Sequence, residues 1–148
     1  MSHRLSAFSI LPNSSSTRPL GEVRVLVVDD HPAIREALST AIEAADGLRA
    51  VPPARSIEEA FTHLEQFRPD VLVLDLALPG GDGFELIEVL RSQGTGVGVL
   101  VYSMYEDSAY AGRALQAGAL GYVTKSNPTA EVIEGVRQVH EGAVYLSK

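Results

Sequence analysis

The sequence predicts an α/β domain built on a doubly wound parallel sheet of strand order 2-1-3-4-5, and three observations carry that expectation. Short apolar runs alternate with amphipathic helical stretches along most of the chain, the pattern of βα units winding a parallel sheet. The stretch Asp70 to Gly83, DVLVLDLALPGGDG, reads as a central strand and its turn. Every position from Val71 to Ala77 is apolar except Asp75, as in a strand covered on both faces. A weak run, Leu48 to Val51, is cut by Pro52-Pro53, which suits a sheet edge where a missing N–H does least harm.

The elements follow in order. Residues 1–22 carry Pro12, Pro19 and the polar run Asn13 to Thr17 without periodicity, and read as a disordered leader. Val23 to Val28 is the first strand, ending in Asp29-Asp30-His31-Pro32. Pro32 fits the first helical position, with Asp30 or His31 as the cap. Ile34, Ala37, Leu38, Ala41, Ile42 and Ala45 have the spacing of a helix lying on a sheet. After the edge strand, Ser56 and Glu59 form a capping box ahead of Ile57, Ala60, Phe61 and Leu64. Arg68-Pro69 ends that helix before the central strand. Asp82 caps a third helix, with Phe84, Leu86, Ile87 and Leu90 inward. Val97 to Tyr102 is the fourth strand, ending at Ser103, and a helix runs from about Asp107 to Ala117. Leu120 to Val123 is the fifth strand, followed by Thr124-Lys125. Asn127-Pro128 caps a last helix carrying Val132, Ile133, Val136 and Val139, which Gly142 ends.

Composition narrows the function. At 148 residues and 45% hydrophobic content the chain makes about one domain with a sizeable core. A formal charge of −7 argues against nucleic-acid binding by this stretch itself, since phosphate contact needs clustered Lys and Arg. The absence of Cys excludes thiol and disulfide chemistry. No apolar run approaches the roughly 18 residues of a membrane span, so a cytoplasmic protein without a membrane partner is expected. Gly94-x-Gly96-x-Gly98 precedes a strand instead of leading from strand to helix, and no GxxxxGK[ST] occurs, so no nucleotide cofactor is expected.

In the predicted strand order the carboxyl ends of strands 1, 3, 4 and 5 gather Asp29, Asp30, Asp75, Ser103 and Lys125, at the crevice where open α/β sheets place ligands. Three carboxylates in one crevice repel one another, and a hard divalent cation such as Mg²⁺ is the simplest way to keep all three ionised. Lys125 and Ser103 suit the oxygens of a transferred phosphoryl group. An Asp carboxylate beside a metal can attack phosphorus to form an acyl phosphate. Each residue also has a plainer reading. Asp30 alone reads as a helix cap, Ser103 as a strand-end residue, Lys125 as a solvated charge and Tyr122 as a half-buried strand aromatic. Asp75 alone would be a turn residue. Lys125 is made more informative by the bias of the chain, where only Lys125 and Lys148 of the twelve basic residues are lysines. His31, His63 and His140 fall on different helices and read as surface residues.

The pieces VLVVDDHPAIREAL, DVLVLDLALPGGDGFELI, VLVYSMYED and ALGYVTK resemble the receiver domain of two-component response regulators, over about Val23 to Gly142. DDHP, SMYED and the ending VHEGAVYLS are similar to the NarL/FixJ (LuxR-type) branch, whose receivers usually precede a helix-turn-helix domain. The resemblance implies a (βα)5 flavodoxin-like fold with Asp75 as the phosphoacceptor. It implies that Asp30 binds Mg²⁺ directly, that Asp29 assists through water and that Ala77 lends a backbone carbonyl. Ser103 and Lys125 would hold the phosphoryl oxygens, and Tyr122 would be the switch that follows Ser103. It further implies a sensor histidine kinase as donor, homodimerisation on phosphorylation, and control of transcription through an output domain. Residues 143–148 then read as the start of the linker to that domain, which this stretch does not contain. Ser126 stands where many receivers have a cis-Pro after the Lys.

Two other functions compete. An Asp-nucleophile phosphatase on a similar sheet needs a second Asp two residues after the nucleophile, and that position is Ala77. The expectation is therefore a phosphoacceptor with self-phosphorylation and autodephosphorylation only, not a turnover enzyme. The other is a single-domain receiver acting through protein contacts. A phosphate-blind module would have lost one of the five site residues, and all five are present.

Overall fold

In the computed structural model, which describes residues 21–147, the predicted strands and helices alternate as expected. The strands are β1 (Val23–Val28), β2 (Leu48–Ala50), β3 (Val71–Leu74), β4 (Gly98–Ser103) and β5 (Gly121–Thr124). The helices between and after them are α1 (Pro32–Ala44), α2 (Ile57–Phe67), α3 (Gly83–Ser92), α4 (Ser108–Ala117) and α5 (Thr129–His140). All strands pair in parallel in the order 2-1-3-4-5, so β1 and β3 are neighbours at the point where the winding reverses. The fold is the expected doubly wound, flavodoxin-like one. The expected leader lies, for residues 1–20, outside the described residues. Glu22, at its end, pairs with Arg49 at 3.3 Å.

Strand composition explains the two layers. Alternate residues of a strand face opposite sides, and here both sides are apolar. Leu26, Val28, Leu72, Leu74, Val99 and Val101 face α2, α3 and α4. Val25, Val27, Val71, Val73, Leu100 and Val123 face α1 and α5. The helices bury the centre of the stripes that their spacing predicts, such as Leu38 and Ile42 of α1 or Val132, Val136 and Val139 of α5, while Ala37 of α1 is exposed and Ile133 of α5 half-buried.

The helix ends show where local signals hold. Ser56 accepts from the Glu59 amide at 3.1 Å, and Glu59 accepts in turn from the Arg55 amide at 2.9 Å. Asp82 and Asp107 cap α3 and α4 through the amides of Phe84 and Ala109. Two expected caps differ. His31 occupies the cap position of α1, but neither it nor Asp30 makes a side-chain capping bond. Asn127 turns back to Thr124 and Ser147 instead of capping α5, where Pro128 stands at the cap position.

The edge strand β2 lies beside β1, and after Pro52-Pro53 the chain touches β1 again through a bridge from Ala54 to Val28. At the opposite edge a sixth strand, β6 (Tyr145–Leu146), pairs with β5. No periodicity marks it in the sequence, where these residues read as linker. Its backbone bonds are Tyr145 N–H to Leu120 at 2.9 Å and Ser147 N–H to Tyr122 at 3.0 Å.

Candidate functional site

Register brings the acidic residues together. Val28 pairs with Leu74, and the Asp75 amide donates to Val28 O at 3.0 Å. The next residues, Asp29 and Asp75, therefore leave the sheet side by side at its carboxyl edge. Both are 2% exposed. Buried carboxylates are costly unless partnered, and each is partnered several times. Asp75 Oδ1 accepts from the Ala77 amide at 3.1 Å. Asp29 Oδ1 accepts from the His31 amide at 2.9 Å.

Lys125 reaches these carboxylates from β5, where its amide donates to Ser103 O at 2.7 Å. Its ammonium stands 2.7 Å from Asp29 Oδ2 and 3.2 Å from Asp75 Oδ2. Burial alone would pull its pKa down, but hydrogen bonds and charge from Asp29 and Asp75 outweigh that and leave it above the ordinary lysine value. The solvated-charge reading of Lys125 is thus replaced: its side chain is only 13% exposed. The peptide bond after it is trans, since the described residues contain no cis bond.

Ser103 is fully buried at the end of β4, and its hydroxyl accepts from the Tyr105 amide at 3.1 Å. Tyr122, 4% exposed, packs with the α2–α4 layer and donates its hydroxyl to Tyr105 O at 2.6 Å. Burial raises its pKa above the usual tyrosine value, opposed by a hydrogen bond with Ser103. The loop from Ser103 to Tyr105 is therefore held at both ends by residues of the site, and Tyr105 stacks on Tyr110 at 4.5 Å.

Sequence reading missed His31. Its ring is 55% exposed, as a surface residue would be, yet Nδ1 lies 2.7 Å from Asp29 and 3.2 Å from Asp30. It also missed Arg35, whose guanidinium donates to Asp29 O at 2.9 Å. The available signal was position: His31 directly follows the two acids, and Arg35 lies one helical turn further on. Asp29, Asp30, His31 and Asp75 each place one donor atom within 4.8 Å of all the others. Three carboxylates in that set are hard oxygen donors that fit a divalent cation such as Mg²⁺. Ala77 meets the site through its amide.

Comparison with known proteins identifies the family. Residues 25–137 match the family model described as the response regulator receiver domain. The response regulator GacA of Pseudomonas viridiflava is 36% identical over 125 residues, 84% of this chain and 58% of that protein. The transcriptional regulatory protein LnrK of Bacillus subtilis is 29% identical over 124 residues, 84% of this chain and 56% of LnrK. The chain thus spans less than two thirds of the length of these relatives. The crystal structure of a LuxR-family two-component response regulator from Aurantimonas sp. SI85-9A1 superposes with a TM-score of 0.79 at 36% identity, covering 85% of this chain and 90% of that one. This chain belongs to the response regulator receiver domain family, and its relatives are regulators of the LuxR/NarL type.

Proposed function

We propose that the domain is a phosphorylation-controlled switch with Asp75 as its phosphoacceptor. The observation that carries the reading is the buried Asp75 carboxylate at the end of β3, with Asp29 beside it and the Lys125 ammonium 3.2 Å from its Oδ2. A carboxylate oxygen of Asp75 attacks phosphorus. A new O–P bond forms as the bond to the donor breaks, and the donor keeps the electron pair. The donor is a phosphohistidine of a sensor kinase, with imidazole as the leaving group, or acetyl phosphate, with acetate as the leaving group. Lys125 then shifts its charge from the carboxylates toward the phosphoryl oxygens, and Ser103 donates its hydroxyl to them. Asp29, Asp30, Asp75 and the Ala77 carbonyl would hold Mg²⁺, which when bound supplies the positive charge that lets an anionic carboxylate meet an anionic phosphoryl group.

Output follows from the contacts around Tyr122. Movement of Ser103 toward the phosphoryl group changes the loop that Tyr105 shares with Tyr122, and with it the face formed by α4, β5 and α5. That change drives homodimerisation. In a longer protein it controls transcription through a DNA-binding domain reached by a linker that follows β6, a role supported by the likeness to LnrK, a transcriptional regulatory protein. A cytoplasmic setting suits a kinase-fed switch, and no helix among the described residues is long and apolar enough to cross a membrane.

The test is intact-mass analysis after incubation with acetyl phosphate. One phosphoryl group is expected on the wild type when Mg²⁺ is present and none when it is chelated. Asp75→Asn should take up none, and uptake by that variant would overturn the assignment.

A further inference from the structure

His31 has no part in the phosphoryl chemistry proposed above, yet its ring nitrogen faces three carboxylates at once. Nδ1 is 2.7 Å from Asp29 Oδ1, 3.2 Å from Asp30 Oδ1 and 4.0 Å from Asp75 Oδ2. The first is a hydrogen bond, and all three are close to the separations found between donors on a single ion. Ligands about 2.1 Å from an octahedral centre stand about 3 Å apart when adjacent and about 4.2 Å apart when opposite. The backbone that presents the ring is held on both sides. The His31 amide is tied to Asp29, Pro32 fixes the start of α1, and the α1 amides of Ile34 and Arg35 return to His31 O at 3.1 Å. Lys125 approaches the opposite oxygen of Asp29, Oδ2, and leaves the side facing the ring to a cation.

From this arrangement we infer that His31 is a metal ligand that sets which divalent ion the site prefers, an inference that rests on the reading of the acidic cluster as the cation site. Without a cation, Nδ1–H donates to Asp29 Oδ1 at 2.7 Å; when a cation takes that place, the ring carries its proton on Nε2 and offers the Nδ1 lone pair as a fourth side-chain donor beside the three carboxylates. Imidazole nitrogen favours first-row transition ions, whereas Mg²⁺ is bound through oxygen and gains little from it. His31 therefore raises the affinity for Mn²⁺ and Co²⁺ relative to Mg²⁺ and makes the site a mixed nitrogen–oxygen centre.

Calorimetric titration of the whole chain with Mg²⁺ and separately with Co²⁺ tests this on wild type, His31→Ala, His31→Gln and Asp30→Asn. Even loss of a partner behind a metal ligand costs about 10–100-fold in affinity, so both His31 variants should weaken Co²⁺ binding by about tenfold or more. Their Mg²⁺ affinity should change by less than about twofold, which also shows that the site is still folded. Electron spin-echo modulation of bound Mn²⁺ should show a directly coordinated nitrogen in the wild type and lose it in both variants. Unchanged Co²⁺ binding in the His31 variants overturns the inference, as does tighter Mg²⁺ binding in His31→Ala, which would make the ring a competitor of the ion. If Asp30→Asn removes binding of both ions while the His31 variants match the wild type, only the role of His31 fails. If Asp30→Asn leaves both ions bound as before, the cation-site reading fails and the role of His31 with it.

Discussion

Asp29 shows how single residues carry the site. Lys125 holds one of its oxygens and His31 the other, while Arg35 holds its carbonyl. Removing the Lys125 charge leaves two buried carboxylates facing each other, and unpairing a buried charge costs several kcal/mol when burial is complete. Because Lys125 keeps some solvent access, Lys125→Met should destabilise the domain by about 1–3 kcal/mol, read from urea denaturation. Addition of Mg²⁺ should recover part of that loss, because a bound cation replaces the missing charge. Asp30 behaves differently. It is partly exposed and makes no capping bond, so Asp30→Ala should shift stability by only about 0.5 kcal/mol or less while weakening cation binding measured by calorimetry.

Among the elements, β6 and α5 show how close approach constrains sequence. A Cβ on Gly121 would stand 2.5 Å from Leu100 Cδ1 and 3.1 Å from Tyr145 O, and one on Gly135 would stand 3.0 Å from the Tyr145 ring. These two glycines let β6 lie against β5 and α5. Gly121→Ala should therefore cost about 1–3 kcal/mol by overpacking, read as a lower urea midpoint. Tyr145 anchors the strand by donating its hydroxyl to Glu131, a bond that pushes its pKa up to about 12. The folded value lies above the unfolded value of 10.0, so the contribution is complete below pH 10 and is lost as pH rises through the folded value. The stability difference between wild type and Tyr145→Phe should stay constant to about pH 10 and shrink between there and pH 12. Denaturant titrations across that range check it.

For the whole molecule, the question is how a change at Asp75 reaches a surface. Tyr122 belongs to the core layer under α2, α3 and α4, so truncating it to Ala would open a cavity and confuse switching with unfolding. Tyr122→Phe removes only the hydroxyl that bonds Tyr105. It should lose about 1 kcal/mol of stability, take up the phosphoryl group nearly as well as wild type, and show a smaller change in association. A phosphoryl group shifts a two-state equilibrium only through its different affinity for the two states, and in the proposed switch the Tyr122 bond is one route by which those states would differ. Sedimentation velocity with and without a phosphoryl mimic, compared between wild type and Tyr122→Phe, measures the effect. Equal responses would return Tyr122 to a purely packing role.

Sequence alone determined the element order, the parallel sheet and the gathering of Asp29, Asp30, Asp75, Ser103 and Lys125 at one edge. Those features rest on local periodicity and on the rule that crossovers are right-handed, both readable within a short window of chain. The tertiary structure decided which of these side chains touch. Lys125 meets Asp75 across 50 positions, and no periodicity specifies whether such a lysine turns to solvent or into the crevice. It also decided that His31 faces the acids while α1 starts without a side-chain cap, and that Asn127 secures Ser147 instead of α5. β6 escaped for a related reason. Two residues are too few to show a strand period, and their pairing depends on a space that Gly121 and Gly135 leave open elsewhere in the chain.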